Sequence, residues 1–394
     1  RHARHARHAR HARHARHARH ARHAHHARHA APVGGRAVTG PGSPAGRTGG
    51  PPGPVLVTGA AGFIGSAVTR ALLRRGDRVV AMLEPGADSR NLDGLDLERV
   101  TVDLRDADGL RRAVTGVGTV FHVAALYRFW APDPASFYEV NVEGTRNLLQ
   151  AAREAGVGRI VYTSTVGTLG LGGASRGAPV RETSYATVDH LFGLYKQSKY
   201  VAEHEVLREA AQGLPVVLVQ PTMPVGPGDR APTPTGATVL DFLNGRMPAY
   251  VDTTLNIVDV DDVAEGHLLA ADSGRVGRSY ILGGENLTLR EVLGLLAEVT
   301  GLPAPSRRVP NRLALAAARV SELVEGRVLH REPSVPLEGA RMATTHMAFD
   351  DTRAREELGY RSRRAADALA RAARWFADTG AVRPARLSRF EWAQ

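Results

Sequence analysis

The chain has no cysteine. Disulfides, thiolate nucleophiles and cysteine-ligated zinc are thereby excluded, no metal site is expected, and the composition suits a reducing cytoplasm. Lysine is almost as scarce. Of 51 basic residues, two are Lys, at 196 and 199, and 49 are Arg. Long apolar runs are missing as well. No stretch approaches the roughly 18 uninterrupted apolar residues that mark a spanning helix, and the N-terminus lacks the apolar segment of a signal peptide.

The N-terminal residues also lack any face to bury. Arg-His-Ala repeats fill residues 1–30, and a Gly/Pro-rich stretch follows to Pro54. Neither can offset the entropy of being ordered, so residues 1–53 are expected to form a disordered tail. No Met precedes Met82. The tail is therefore expected to be upstream sequence read from a wrong start, with Val33, Val38 or Val55 as alternatives. The nine Arg of residues 1–30 dominate the net charge of +11; without them 42 basic face 40 acidic residues, about +2. The remainder gives no electrostatic case for specific nucleic-acid binding. The tail alone has the chemistry to hold polyanions or, through His, metal, and neither is expected as its role.

From Val55 onward, short β-branched runs alternate with longer helical periods. Strands are expected at Val55–Thr58, Arg78–Met82, Val100–Val102, Thr119–Val123, Arg159–Thr163 and Val216–Gln220. Such alternation, with nearly continuous apolar strands, indicates an α/β fold: a Rossmann-type doubly wound parallel sheet covered on both faces. Residues 54–230 are assigned to it. After Pro221 the texture changes. The Pro/Gly cluster from Pro221 to Gly236 reads as a loop. Helices are expected at Leu289–Thr300, opened by a Thr288/Glu291 capping box, and near Arg312–Glu325 and Ala365–Asp378. Residues 231–380 are read as a smaller C-terminal α/β substrate lobe interleaved with the first domain, and 381–394 as a C-terminal tail.

Val55–Thr58 runs straight into Gly59-Ala60-Ala61-Gly62-Phe63-Ile64-Gly65. A G-x-x-G-x-x-G string between a buried strand and an amphipathic helix suits a dinucleotide pyrophosphate. Small residues let the backbone approach, and the helix N-terminus offers N–H groups. After the second strand stands Glu84, which accepts ribose hydroxyls and repels a 2′-phosphate; Arg90 nearby could counter it. NAD is the expected cofactor, with NADP possible. Asp103 and Leu104 fall where an adenine edge would lie.

Tyr195 and Lys199 are four residues apart at the start of a helical segment, so they face the same way. An adjacent ammonium favours the phenolate and lowers the Tyr pKa, which lets Tyr195 move a proton as hydride moves. In a chain that otherwise uses Arg, a Lys marks a place where a compact ammonium, able to bond a nicotinamide ribose, is needed. At the end of the fifth expected strand, Ser164 and Thr165 each offer a hydroxyl to the reacting oxygen. Asn141 reads as a helix N-cap.

In this order, these elements resemble the extended short-chain dehydrogenase/reductases, the NAD-dependent epimerase/dehydratase family. The resemblance covers Pro54 to about Phe376. It rests on the T-G-x-x-G-F-I-G loop, Asp103-Leu104, His122–Ala125, Asn141–Asn147, Tyr195/Lys199 and Pro221–Asp229. It implies that Thr165 takes the place of the catalytic Ser/Thr, Tyr195 that of the acid/base and Lys199 that of its partner. Ala124, Ala125 and Pro221 would line the cofactor, and the chain would be a homodimer. Leu126–Pro134, Pro232–Gly236, Gly245–Asp252 and Tyr280–Arg290 are similar to hopanoid-associated sugar epimerases, also described as dihydroflavonol-reductase-like.

Three functions are weighed. The first is an oxidoreductase or epimerase acting on a carbinol or ketone of a sugar-like, hopanoid-linked or nucleotide-sugar substrate, with a dihydroflavonol-type ketone reductase as its variant. The second is a non-catalytic dinucleotide sensor. The third is a polyanion-binding protein led by its tail. Tyr127, Arg128 and Trp130 are expected to contact substrate, the rings stacking and Arg128 pairing an anion; Met223, Val225 and Tyr250 are weaker lining candidates. A lipid-linked substrate would allow loose membrane contact without a spanning segment.

Overall fold

A computed structural model describes residues 53–128, 130–171, 178–188, 191–328 and 337–392. The expected tail over residues 1–52 lies outside them. Seven strands form the main sheet: β1 (Val55–Thr58), β2 (Val79–Leu83), β3 (Glu98–Thr101), β4 (Thr119–His122), β5 (Arg159–Thr163), β6 (Val216–Pro221) and β10 (Ser279–Leu282). Their order is β10-β6-β5-β4-β1-β2-β3, and every neighbouring pair is parallel. β1, β4 and β6 are buried along their whole lengths, as a sheet covered on both faces requires. The helix Phe63–Arg75 packs beside the helix Val260–Ser273 over one face. The helix Leu194–Ala211 presents Ala202, Val206 and Ala210 to the core on the other. The order reverses between β1 and β4, and their carboxyl ends part there to leave a crevice.

The second lobe has its own strands, which sequence reading missed. β7 (Met223–Val225), β9 (Thr254–Asp259) and β11 (Glu285–Thr288) make a three-stranded sheet, and β8 (Ala249–Val251) pairs with β12 (Arg307–Val309). β7 falls inside the Pro/Gly cluster read as a loop. Its register against β9, Met223 with Ile257 and Val225 with Asp259, is set by a partner more than thirty residues away in sequence, about which local composition is silent.

The lobe's helices follow expectation more closely. Leu289–Thr300 carries the capping box of Thr288 and Glu291, and Ala365–Asp378 runs as read. The helix Asn311–Ser321 continues as a π-helical segment, Glu322–Val328. The expected C-terminal tail is instead packed down. Pro384–Leu387 is helical, Phe390 and Trp392 lie on the lobe's core, and the Glu391 N–H donates to the Thr300 carbonyl at 2.9 Å.

Candidate active site

The crevice opens into a cavity of about 1140 Å³ that runs from the glycine loop, past Tyr195, into the second lobe. At one end the chain leaves β1 through Gly59, whose φ of +65° suits glycine. A Cβ on Gly59 would lie 2.8 Å from the Ala124 Cα, and one on Gly65 would lie 2.0 Å from the Gly59 carbonyl oxygen. No side-chain cap closes the helix that begins at Phe63, so its first-turn N–H groups remain for an anion in the cavity. Ala61, Gly62, Phe63, Ile64, Glu84, Asp103, Leu104, Ala124, Ala125 and Pro221 all line the same space.

The strand end at β4 is fixed by a directed chain of hydrogen bonds. The Thr58 hydroxyl accepts from the N–H groups of Val123 (3.2 Å) and Ala124 (3.1 Å). Its own proton is then turned to His122 Nδ1, 2.8 Å away. His122 Nε2 consequently carries the ring proton and donates to the Thr145 hydroxyl at 3.0 Å, which donates to the Asn141 carbonyl at 2.7 Å. Burial pushes His122 down to about 3, with the Lys199 charge acting in the same direction, so the ring is neutral. Asn141 is not the expected N-cap. It sits buried in the π-helical turn Glu139–Glu143, where its amide exchanges two hydrogen bonds with the Leu126 backbone (2.7 and 3.2 Å) and donates to the Ser198 hydroxyl. The constraint is tertiary: Asn141 ties the loop after β4 to the helix that carries Tyr195.

Tyr195 and Lys199 share a helical face as expected, but their surroundings differ from expectation. Lys199 is 2 % exposed. Its Nζ donates to the Tyr162 hydroxyl at 2.9 Å and the Thr163 carbonyl at 2.7 Å. Burial pushes its ammonium down to about 7, opposed by the Glu203 carboxylate. Burial also raises the Tyr195 phenol above its ordinary value, a hydrogen bond with the Thr165 side chain works against it, and the Glu338 charge adds to it. For the chain alone desolvation is the largest influence on the phenol, and the Lys199 ammonium is engaged by the Tyr162 hydroxyl and the Thr163 carbonyl.

The two candidate hydroxyls separate. Thr165 faces the phenol of Tyr195. Ser164, although it borders the cavity, donates to Glu203, which also accepts from Thr168 (2.9 Å) and from the Gln220 amide. Glu203 was missed, although it lies four residues beyond Lys199 on the same helix and that spacing signalled it.

Other expectations fall away from the cavity. Arg90 is exposed and paired with Asp88 at 2.5 Å. Asn91, beside it, borders the cavity instead, its amide bridging the carbonyls of Ala61 (3.0 Å) and Gly228 (2.9 Å); nothing in its sequence context announced this. Asp103 lines the cavity, but its carboxylate is taken by Arg105 at 2.6 Å. Tyr127 and Arg128 line the cavity, the Tyr127 ring 4.7 Å from that of Tyr195. Trp130, Val225 and Tyr250 do not. Trp130 lies half-buried past the loop, and Val225 and Tyr250 pack into the lobe's core. Met223 does line the cavity, with Leu171, Leu255, Leu289, Met347 and Phe349.

A glycine turn in which an added Cβ would meet backbone, at the switch point of a parallel sheet and opening on a cavity lined by Thr165, Tyr195 and Lys199, has the form of a Rossmann-type dinucleotide site. Residues 55–283 match the model of the NAD dependent epimerase/dehydratase family, and the chain belongs to that family. Among curated relatives, a Synechocystis protein provisionally named dihydroflavonol 4-reductase is 44 % identical over 332 residues, 83 % of this chain and 96 % of the relative. Sterol demethylase protein B of Methylococcus capsulatus is 38 % identical over 83 % of this chain and 99 % of its own. Among solved structures, gox2253 is 46 % identical with a TM-score of 0.75, covering 84 % of this chain and 99 % of that one. The dTDP-glucose 4,6-dehydratase DesIV of Streptomyces venezuelae, with NAD bound, is 28 % identical with a TM-score of 0.67, covering 83 % and 97 %.

Proposed function

We propose that the chain interconverts a secondary alcohol and a ketone on a bulky, largely apolar ring system, with NAD(H) as the preferred cofactor. The observation that carries this is the wall of the cavity beyond Tyr195: Leu171, Met223, Leu255, Leu289, Met347 and Phe349. A nucleotide sugar brings a diphosphate that needs several cations; besides Lys199 the cavity lining has Arg128, Lys196 and Arg230, and Arg230 donates to the Asn91 side chain at 3.2 Å. The names of two relatives agree with this reading, since dihydroflavonols and sterols are both ring-fused bodies.

Bound NAD(P)H supplies the hydride. In the reducing direction Tyr195 donates its phenolic proton to the carbonyl oxygen, and the Thr165 hydroxyl holds that oxygen in place. Lys199, its ammonium held by the Tyr162 hydroxyl and the Thr163 carbonyl and opposed by the Glu203 charge, would bond the nicotinamide ribose beside Tyr195. Tyr195, raised by burial, is protonated at neutral pH and so ready to donate. Glu84 is exposed at the cavity edge where adenosine hydroxyls would be met, and Arg90 is held away by Asp88, which supports NAD over NADP.

Returning hydride to the opposite face of a ketone would make the same three residues an epimerase. The two are told apart by product analysis with apolar cyclic ketones and NADH: stoichiometric NADH oxidation supports the proposal, whereas no oxidation of NADH with any ring ketone, together with inversion of a sugar carbinol at constant cofactor, overturns it.

A further inference from the structure

The helix Asn311–Ser321 is amphipathic in an unusual sense. Ala314 and Ala317 face the cavity, while Leu313 and Val320 on the same helix are each 62 % exposed. In the π-helical segment that follows, Leu323 and Val324 are 57 % and 45 % exposed. Residues 313, 320 and 324 recur at helical spacing, so these side chains make one apolar stripe rather than scattered exposures.

Among the described residues, the exposed charges beside the stripe are mostly arginines. Arg307, Arg312 and Arg319 are exposed around it, and Arg308 pairs with Asp252 at 3.4 Å. Two nearby acids, both half-buried, are engaged by neutral donors. Glu322 accepts from the Leu337 N–H at 3.1 Å, and Glu325 from the Ser321 hydroxyl at 2.7 Å. Across the adjoining helix Leu337–Ala343, the Arg341 guanidinium covers the ring of Phe192, itself 52 % exposed. Apolar side chains ringed by arginines match the boundary of an anionic bilayer, where the former enter the acyl region and the latter meet headgroup phosphates.

We propose that the helix Asn311–Ser321 and the segment after it dock on an anionic membrane surface, and that the substrate enters the cavity from that side. The second clause rests on the apolar-substrate reading above; the first does not. No helix among the described residues is long and apolar enough to cross a membrane, so the contact is interfacial.

The absence of cysteine allows a direct test on the full chain. An environment-sensitive fluorophore is attached at Val320→Cys, or at Asp96→Cys on the exposed approach to β3, and vesicles of phosphatidylglycerol and phosphatidylcholine are added. The expected result is a blue shift at Val320 and none at Asp96, with the Arg312→Glu/Arg319→Glu pair raising the lipid needed about tenfold or more. No shift at Val320 overturns the proposal, as does an equal shift at both positions, which would mean that the Arg-rich N-terminal residues do the binding. A shift without vesicles that grows with protein concentration overturns it in favour of a second copy. Leu313→Cys serves if Val320→Cys fails to bind NADH. Turnover of a water-soluble ketone, assayed without vesicles, tests the active-site reading separately.

Discussion

The two ends of the cavity are built in opposite ways. The cofactor end is made of backbone and small polar groups: glycines that a Cβ would block, helix N–H groups, and a relay of Thr58, His122, Thr145 and Asn141 whose protons can be placed one by one. Apolar side chains from strands, a helix and loops far apart in sequence, Leu171, Met223, Leu255, Leu289, Met347 and Phe349, line the other end, read above as the substrate end. The first is a fixed mould for a ligand of set shape. The second specifies size and hydrophobicity rather than an atom-by-atom pattern. In this reading the cofactor end identifies the enzyme, and the substrate end gives it a particular task.

Tyr195→Phe should produce the largest effect. It removes the proton donor where the two ends meet. Turnover should fall about a thousandfold or more while NADH affinity, measured by fluorescence titration, stays within about twofold. An unchanged rate would mean that the pair is structural. Gly65→Ala should strike the cofactor end alone, because the new Cβ would meet the Gly59 carbonyl at 2.0 Å. NADH affinity should fall about a hundredfold; retained affinity would remove the mould from the account.

Leu255→Asp is its counterpart at the other end. The value of kcat/KM for an apolar ketone should fall about tenfold to a hundredfold, the worth of one buried Leu contact, with NADH affinity intact. A loss of both would show that the two ends are not separable. Glu84→Gln should act more gently, lowering the preference for NAD over NADP about tenfold through one charged hydrogen bond.

The last effect concerns acid stability, and it too is confined to the sheet side. His122 is held down to about 3 and His267, bonded to Thr163 and the Val263 carbonyl, down to about 4, both chiefly by burial. Since the unfolded chain takes up these protons more readily, the stability each contributes is complete above about pH 6.5. It is lost as pH falls toward 4, at up to about 1.4 kcal/mol per pH unit and group. Urea midpoints at neutral and mildly acid pH check this; a flat profile would mean that neither ring is desolvated as the structure shows.

The same contrast explains what could be read from sequence. The glycine string and the Tyr195/Lys199 pair are contiguous, so spacing alone placed them, and six of the seven strands of the main sheet were visible, chiefly as short apolar runs; β10 was not among them, and β3 is mostly exposed. Glu203 was within reach of the same logic. β7, β8 and β9 were not, because their pairing depends on distant partners. At the substrate end, Met347 or Leu289 carries no mark that distinguishes a wall residue from a core residue. Val225 and Tyr250 went wrong for that reason: they resemble the lining and belong to the packing. Arg90 failed differently, since its charge was read correctly and its partner, Asp88, was not foreseen. Lys199 shows the limit of pairwise reasoning, because a helical spacing gives proximity while burial decides the pKa.

The central claim is that Tyr195 works at the boundary between a nicotinamide site and an apolar ring-binding site. Its most direct test is steady-state nicotinamide absorbance for NADH with a fused-ring ketone, and in parallel with a nucleotide sugar, using wild type and Tyr195→Phe. The account predicts NADH oxidation by the ketone, lost in Tyr195→Phe, and none with the nucleotide sugar. Inversion of the nucleotide sugar without net oxidation, and no reaction with the ketone, would contradict it.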